Sequence, residues 1–194
     1  HGSRIGSLAC SPDGQRIITG GGAVRVSPNG EDVHFTVGDD NAAKVWDATE
    51  SKEMYTLKAN GASVMSVDFS PDGKLIASGS LDGAVRLWDL LSGRELWVRT
   101  NNAMVRSVAF LPDGRRMVTG CWDHTATVWE VASGKKLFRL EGHTHRIFSV
   151  AVSSDGHWIA TGSWDSTVRL WDAASGRHLS TFRGHSEAVY PVAF

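Results

Sequence analysis

Cysteine is nearly absent: Cys10 and Cys121 are the only two among 194 residues. Two cysteines cannot make a disulfide framework, and without a C-x-x-C pair nothing suggests a structural zinc site. A reducing, intracellular setting, in the first instance the cytoplasm, is the expectation. Long apolar runs are missing too. No stretch approaches the roughly 20 apolar residues of a membrane-crossing helix, so no membrane partner is expected. The opening HGSRIGSLAC has none of the long apolar centre of a secretion signal. Neither sign of charge prevails, with 20 Lys+Arg against 21 Asp+Glu and a formal net charge of −1. That balance gives no basic footprint for phosphate backbones, and nucleic acid is not an expected partner.

Against these absences stand 21 glycines and 8 tryptophans beside only 2 tyrosines. The bias is toward tight turns and large buried rings, which removes collagen, coiled-coil and disordered classes. The tryptophans also keep time. KVWD ends at Asp47, RLWD at Asp89, TVWE at Glu130 and RLWD at Asp172, in steps of 42, 41 and 42 residues. Turn quartets follow the same beat: SPNG at 27–30, SPDG at 70–73, LPDG at 111–114 and SSDG at 153–156.

Each period divides into four strand-like segments. VMSVDF and VRSVAF are apolar and β-branched, as a buried inner strand should be. KLIASGS or HWIATGS follows, then AVRLWD or TVRLWD with alternating polarity, then weaker segments such as ELWVR, KLFRL and HLSTF. One four-stranded antiparallel sheet per period is too small to bury both faces, so neighbouring sheets must stack.

A period of about 42 residues, with Trp-Asp closing the third strand and Gly-His before the next repeat, resembles the WD-repeat β-propeller family. The resemblance covers nearly the whole chain. It implies an all-β fold with four nearly complete four-stranded blades plus partial blades, forming part of a larger propeller of about seven blades or one that completes itself with another chain. The expected divisions are a partial blade at 1–22, blades at 23–60, 61–101, 102–142 and 143–184, and the inner strand of a further blade at 185–194. Unpaired blade edges make self-association an expectation as well.

The beat breaks once. Asp13 and Asn29 hold equivalent positions in two turn quartets, yet the interval between them is less than half of a period. A deletion of more than half a period near Gly20 to Val26 is the expected cause, whether natural, an engineered junction or an omitted loop. GAVRV at 22–26 reads either as the third strand of the first blade or as the inner strand of the second.

The resemblance also implies a buried hydrogen-bonded set of four side chains per blade. The last complete blade alone has all four: His143, Thr161, Asp165 and Trp171. Asn60 and Asn101 replace the histidine in two others, which are expected to be held less firmly. A Thr–His–Asp catalytic reading of the same residues is the sharper alternative, but the same residue types recur at scaffold positions. His143 with His145, and Cys121 with His124, lack a second ligand pair, so no metal is expected. The Gly20–Gly22 run precedes no Lys-Ser/Thr and no helix pattern, so it is not a phosphate loop and no cofactor is implied.

Function in such a scaffold belongs on its loop-bearing faces. Carried over from the family, the top face takes Asp39, Leu81, Trp122 and Trp164 before the turn aspartates. It also takes Met65, Arg106, Phe148 and Tyr190 near the start of the inner strands, with Ser63, Met104, Arg146 and Ala188 two residues earlier. These positions differ between repeats while their neighbours barely change, and they carry residue types enriched in binding hot spots. The expected function is a non-enzymatic protein-interaction scaffold or recognition domain, part of a longer polypeptide, that binds a protein or peptide on Met65, Leu81, Met104, Arg106, Trp122, Arg146, Phe148, Trp164 and Tyr190. The alternatives are a fragment or engineered partial propeller without a ligand, and a small-molecule binder or enzyme using the central channel.

Overall fold

The structure is a computed structural model that describes residues 5–21, 23–26, 33–36, 41–58 and 62–194, with side chains described outside 22–40. The described residues are strands and turns, without a helix. The chain opens with β1 (Ile5–Cys10) and β2 (Arg16–Gly21), continues through a short hairpin of β3 (Ala23–Val26) and β4 (Val33–Thr36), then β5 (Ala42–Asp47) and β6 (Lys52–Lys58). Three regular quartets follow. They are β7 (Val64–Phe69), β8 (Leu75–Ser80), β9 (Ala84–Asp89) and β10 (Glu95–Thr100); β11 (Val105–Phe110), β12 (Arg116–Cys121), β13 (Ala126–Glu130) and β14 (Lys136–Leu140); and β15 (Ile147–Val152), β16 (Trp158–Ser163), β17 (Val168–Asp172) and β18 (His178–Phe182). Each quartet is an antiparallel sheet in sequential order, as short strands joined by tight turns require.

The first sheet corrects the expected divisions at the N-terminal end. Its order is β1-β2-β5-β6, so residues 5–21 and 42–58 form one blade rather than a stub and a second blade. Ile5 and Val64 begin successive inner strands and lie well over a period apart, whereas Val64, Val105 and Ile147 keep to the period. The irregularity is therefore an added segment and not a deletion. Residues 23–26 of GAVRV are neither of the strands expected of that segment, because among the described residues β3 pairs only with β4, Ala23 opposite Thr36 and Val26 opposite Val33. The third-strand place belongs to β5, which pairs with β2 from Arg16–Asp47 to Gly20–Ala43. The SPNG quartet lies outside the described residues.

The core sits in the seams between blades. Ile18, Val45 and Leu57 of the first blade meet Val64, Phe69, Ile76 and Trp88 of the second. Val85 and Leu87 meet Val105, Met117 and Trp129 at the next seam, and Val118 and Leu140 meet Ile147, Ile159 and Trp171 at the third. Two small residues allow the close approach. A Cβ on Gly79 would lie 2.5 Å from Val105 Cγ1, and one on Gly120 would lie 2.7 Å from Ile147 Cγ2. The second-strand glycine at these seams is therefore fixed by the neighbouring blade.

A serine clasp repeats at every seam. The N–H groups of Val67, Val108, Val150 and Val192 donate to Ser7, Ser66, Ser107 and Ser149 Oγ at 3.2, 3.0, 3.2 and 3.2 Å. Val192 shows that residues 185–194 occupy the place of a fifth inner strand against the fourth blade, and Val189 N–H donates to the Ser163 carbonyl at 3.0 Å. The segment is nonetheless not a strand, which corrects the expectation, because no described strand pairs with it and a ladder needs two partners. At the opposite end, β1 leaves Ile5 and Leu8 54% and 66% exposed. Their counterparts Val64 and Val67 are buried.

Candidate functional site at the propeller rim

The inner strands all break register at one point. Pairing skips from Val64 to Ser66, from Val105 to Ser107 and from Ile147 to Ser149, and from Ile5 to Ser7 in the first blade. The bulged residues are thus Gly6, Met65, Arg106 and Phe148. A bulge leaves its extra residue out of the ladder and re-aims its side chain, here toward one shared cavity. Together with Tyr190 these residues and the serines beside them line a cavity of about 300 Å³.

The pre-turn residues reach the same rim by a second repeated contact. Leu81, Trp122 and Trp164 N–H groups donate to the carbonyls of Ser63, Met104 and Arg146 at 2.9, 3.0 and 2.9 Å. Four of the sequence-predicted residues then form one contiguous aromatic cluster, with Arg146 and Arg106 beside them. Phe148 lies 5.9 Å from Trp122, 5.5 Å from Trp164 and 4.8 Å from Tyr190, ring centroid to centroid. The Arg146 guanidinium lies close to both tryptophans, 4.1 Å from the Trp122 ring and 5.4 Å from Trp164. Arg106 lies 5.9 Å from the Phe148 ring. Met65, Met104 and Phe148 are buried and act as walls, Leu81 stays half-buried, and Tyr190 is 46% exposed. Asp39 falls outside the described residues.

Two histidines missed as rim residues extend the cluster. His124 stacks on His145 at 5.6 Å, and His145 lies 5.3 Å from Trp164. His124 stands at the turn position where Gly83 has φ +80°, and its own φ is +72°. Burial, then the neighbouring charges of Arg146 and His124, push the His145 pKa down.

The four-residue set is assembled in the last complete blade. Trp171 Nε1–H donates to Thr161 Oγ1 at 2.9 Å, His143 Nε2 lies 2.7 Å from the same oxygen, and His143 Nδ1 lies 2.7 Å from Asp165 Oδ2. One proton arrangement satisfies all of them with a neutral imidazole: Thr161 donates to Nε2, and Nδ1–H donates to the carboxylate. Burial pushes the His143 pKa down against the opposing pull of Asp165. Burial also works to raise the Asp165 pKa, but the Thr167 hydroxyl, His143 and the Thr144 N–H together hold it down at about 2. Thr161 is fully buried and already accepts from Trp171, so no substrate reaches its oxygen and the arrangement braces the blade.

In the blades without the histidine, a guanidinium takes its place beside the turn aspartate. Arg86 Nη2 lies 3.2 Å from Asp82 Oδ2 and its Nη1 donates to Ser80. Arg139 Nη2 lies 2.8 Å from Asp123 Oδ2, with Nε donating to Thr125. The tryptophan half survives, with Trp88 on Ser78 and Trp129 on Thr119, each at 2.9 Å. Arg86 comes from the third strand and Arg139 from the fourth, so no fixed sequence position announces the exchange. Asn60 lies outside the described residues.

The other chemical candidates resolve differently. Cys121 is buried, and burial followed by Asp123 pushes its thiol up to about 12, the opposite of an activated thiolate. Among the described residues no three His, Cys, Asp or Glu side chains converge as a metal cage. Trp97 makes a lateral contact, donating to the Val131 carbonyl of the next blade at 2.8 Å. Asp68 was not singled out by sequence, although alanine holds its place in Ala9, Ala109 and Ala151. It accepts from Phe110 N–H across the seam at 2.8 Å and from Phe69 N–H at 2.9 Å. Burial nevertheless raises it to about 6.

The WD domain, G-beta repeat family matches residues 1–23, 51–89, 94–130 and 134–172, more than half of the chain. The chain belongs to the WD40 repeat family. It is similar to the small ribosomal subunit protein RACK1y of Oryza sativa subsp. japonica, 41% identical over 75 residues, which are 38% of this chain and 22% of that protein. It is also similar to the protein HIR1 of Kluyveromyces lactis, 39% identical over 85 residues, 43% of this chain and 10% of that one. A third relative is the eukaryotic translation initiation factor 3 subunit I of Scheffersomyces stipitis, 35% identical over 63 residues, 32% of this chain and 18% of that protein. The matched stretch is thus under a quarter of each relative's length.

Proposed function

We propose that this WD40 chain is a non-enzymatic interaction module that holds a peptide or protein partner on the channel rim. The supporting observation is the continuous cluster of Trp122, Arg146, Phe148, Trp164 and Tyr190. Rigid rings lose little conformational freedom on binding, and Trp, Tyr and Arg dominate interface energetics. Relatives named as a ribosomal-subunit protein and an initiation-factor subunit fit work inside larger assemblies in an intracellular setting. The test replaces Trp122 and Trp164 together by Ala. Partner capture should be lost while the far-UV circular dichroism of the parent and a cooperative thermal transition are kept, the melting point falling only by the modest contribution of the Arg146 contacts; loss of folding would overturn the reading.

A self-association reading has its own support in the exposed Ile5 and Leu8 of β1, an apolar strand face of the kind that elsewhere in the molecule is covered by a neighbouring blade. Light scattering decides it, since a mass near 21.0 kDa rather than twice that value rules it out.

A further inference from the structure

Five equivalent positions surround the rim cavity: Gly6, Met65, Arg106, Phe148 and Tyr190. Arg106 alone is charged. Its surroundings differ from those of Arg86, Arg116 and Arg139, each of which lies within 4.0 Å of a carboxylate. Among the described residues no carboxylate comes that close to Arg106, and its buried Nε has no hydrogen-bond partner. Burial lowers its pKa from the usual arginine value, with only Tyr190 opposing. A desolvated cation without a counter-ion is a standing cost to the fold, relieved when an anion arrives.

The cavity also selects the kind of anion. At about 300 Å³ it is at the lower end of ligand sites, suited to a side chain. The Phe148 and Tyr190 rings and the Met65 wall are apolar. Gly6, with no side chain, leaves open the space that the other bulge residues fill. Arg146, the second rim cation, lies close to both the Trp122 and Trp164 rings and adds positive potential just outside. A nucleic-acid backbone would need a track of several cations.

We propose that the channel mouth is a carboxylate-reading site, in which an acidic residue of a peptide partner seats its carboxylate on Arg106 while a neighbouring apolar side chain rests on Phe148 and Tyr190. The proposal rests on the rim being a peptide- or protein-binding surface and names what that surface reads.

The experiment uses the full chain and labelled pools of short peptides, one with a fixed central Glu flanked by apolar residues and a matched pool with Gln. Fluorescence anisotropy follows binding to the parent, Arg106→Met and Trp164→Ala. The Glu pool should bind the parent roughly 10- to 100-fold more tightly than the Gln pool, the range of a charge-assisted hydrogen bond, and Arg106→Met should erase that difference. If Arg106→Met fails to fold, the Glu-to-Gln ratio on the parent decides. Equal binding of the two pools, no binding of either, or tighter binding of inorganic phosphate or a short single-stranded RNA overturns the proposal. Equal binding that Trp164→Ala still abolishes leaves the rim reading standing. Peptide binding that Trp164→Ala does not change removes the rim reading as well.

Discussion

The guanidinium carbon of Arg146 stands 4.1 Å from the centre of the Trp122 ring, although the two residues belong to different blades. The Trp164 ring centre lies 5.4 Å from the same carbon. A cation held over indole faces contributes about 0.5–2 kcal/mol, depending on how far it is desolvated. Arg146→Leu should therefore lower stability by about 1 kcal/mol in urea unfolding and change tryptophan emission. Arg146→Lys should recover part of the loss. Equal stability of all three proteins would show that these contacts contribute nothing.

The seams predict a second result. Gly79→Ala forces a Cβ to within 2.5 Å of Val105 Cγ1 and 3.0 Å of Val108 Cγ1, an overpacking that costs about 1–3 kcal/mol. Val105→Ala leaves a cavity by itself, but in combination with Gly79→Ala it should lose less than the two single losses added together. A double-mutant cycle by thermal unfolding measures this coupling. Simple additivity would mean that the second-strand glycine is not set by the adjacent blade.

His143 and Asp165 predict acid lability. The folded His143 pKa lies below its usual value, so protonation favours the unfolded chain and stability falls as pH drops below about 6.5. The folded Asp165 pKa is about 2. Its contribution is present above the ordinary carboxylate pKa and is lost as pH falls toward 2. His143→Asn should reduce the loss near neutrality, leaving the part that belongs to His145, whose pKa is also pushed down, and leave the more acidic one, as read from urea midpoints across pH. An unchanged midpoint profile would exclude His143 as the source.

Asp68 has the opposite sign. Its folded pKa is raised to about 6, so the fold holds the proton more tightly than the unfolded chain does. Its favourable effect is greatest below about pH 4, declines as pH rises through about 6, and is absent above that. A rise from the ordinary 3.8 to about 6 corresponds to roughly 3 kcal/mol at pH 7, and an amide at this position forfeits about 1 kcal/mol of hydrogen bonding. Asp68→Asn should thus stabilise the protein by about 1–2 kcal/mol at pH 7, with the gain disappearing near pH 4. A loss of stability at pH 7 would refute this account.

The blade architecture was legible in the sequence because turn quartets, β-branched inner strands and Trp-Asp ends act locally and recur at one period. The four residues from His143 to Trp171 were legible for the same reason, since each has a fixed phase within the repeat. Met65, Arg106, Phe148 and Tyr190 could be assigned to the rim by phase alone. Which of them touch was decided by the stacking of blades, which brings Arg146 of the fourth blade onto Trp122 of the third. Tertiary structure also decided where the first blade begins and ends. A hairpin of backbone hydrogen bonds looks like ordinary strand sequence, and only pairing distinguishes an added β3–β4 from a blade that has lost a strand. The guanidinium substitutes for histidine were invisible for a related reason: Arg86 and Arg139 come from different strands, and long side chains reach one aspartate position from either. Local chemistry set the repeat; packing between repeats chose the partners.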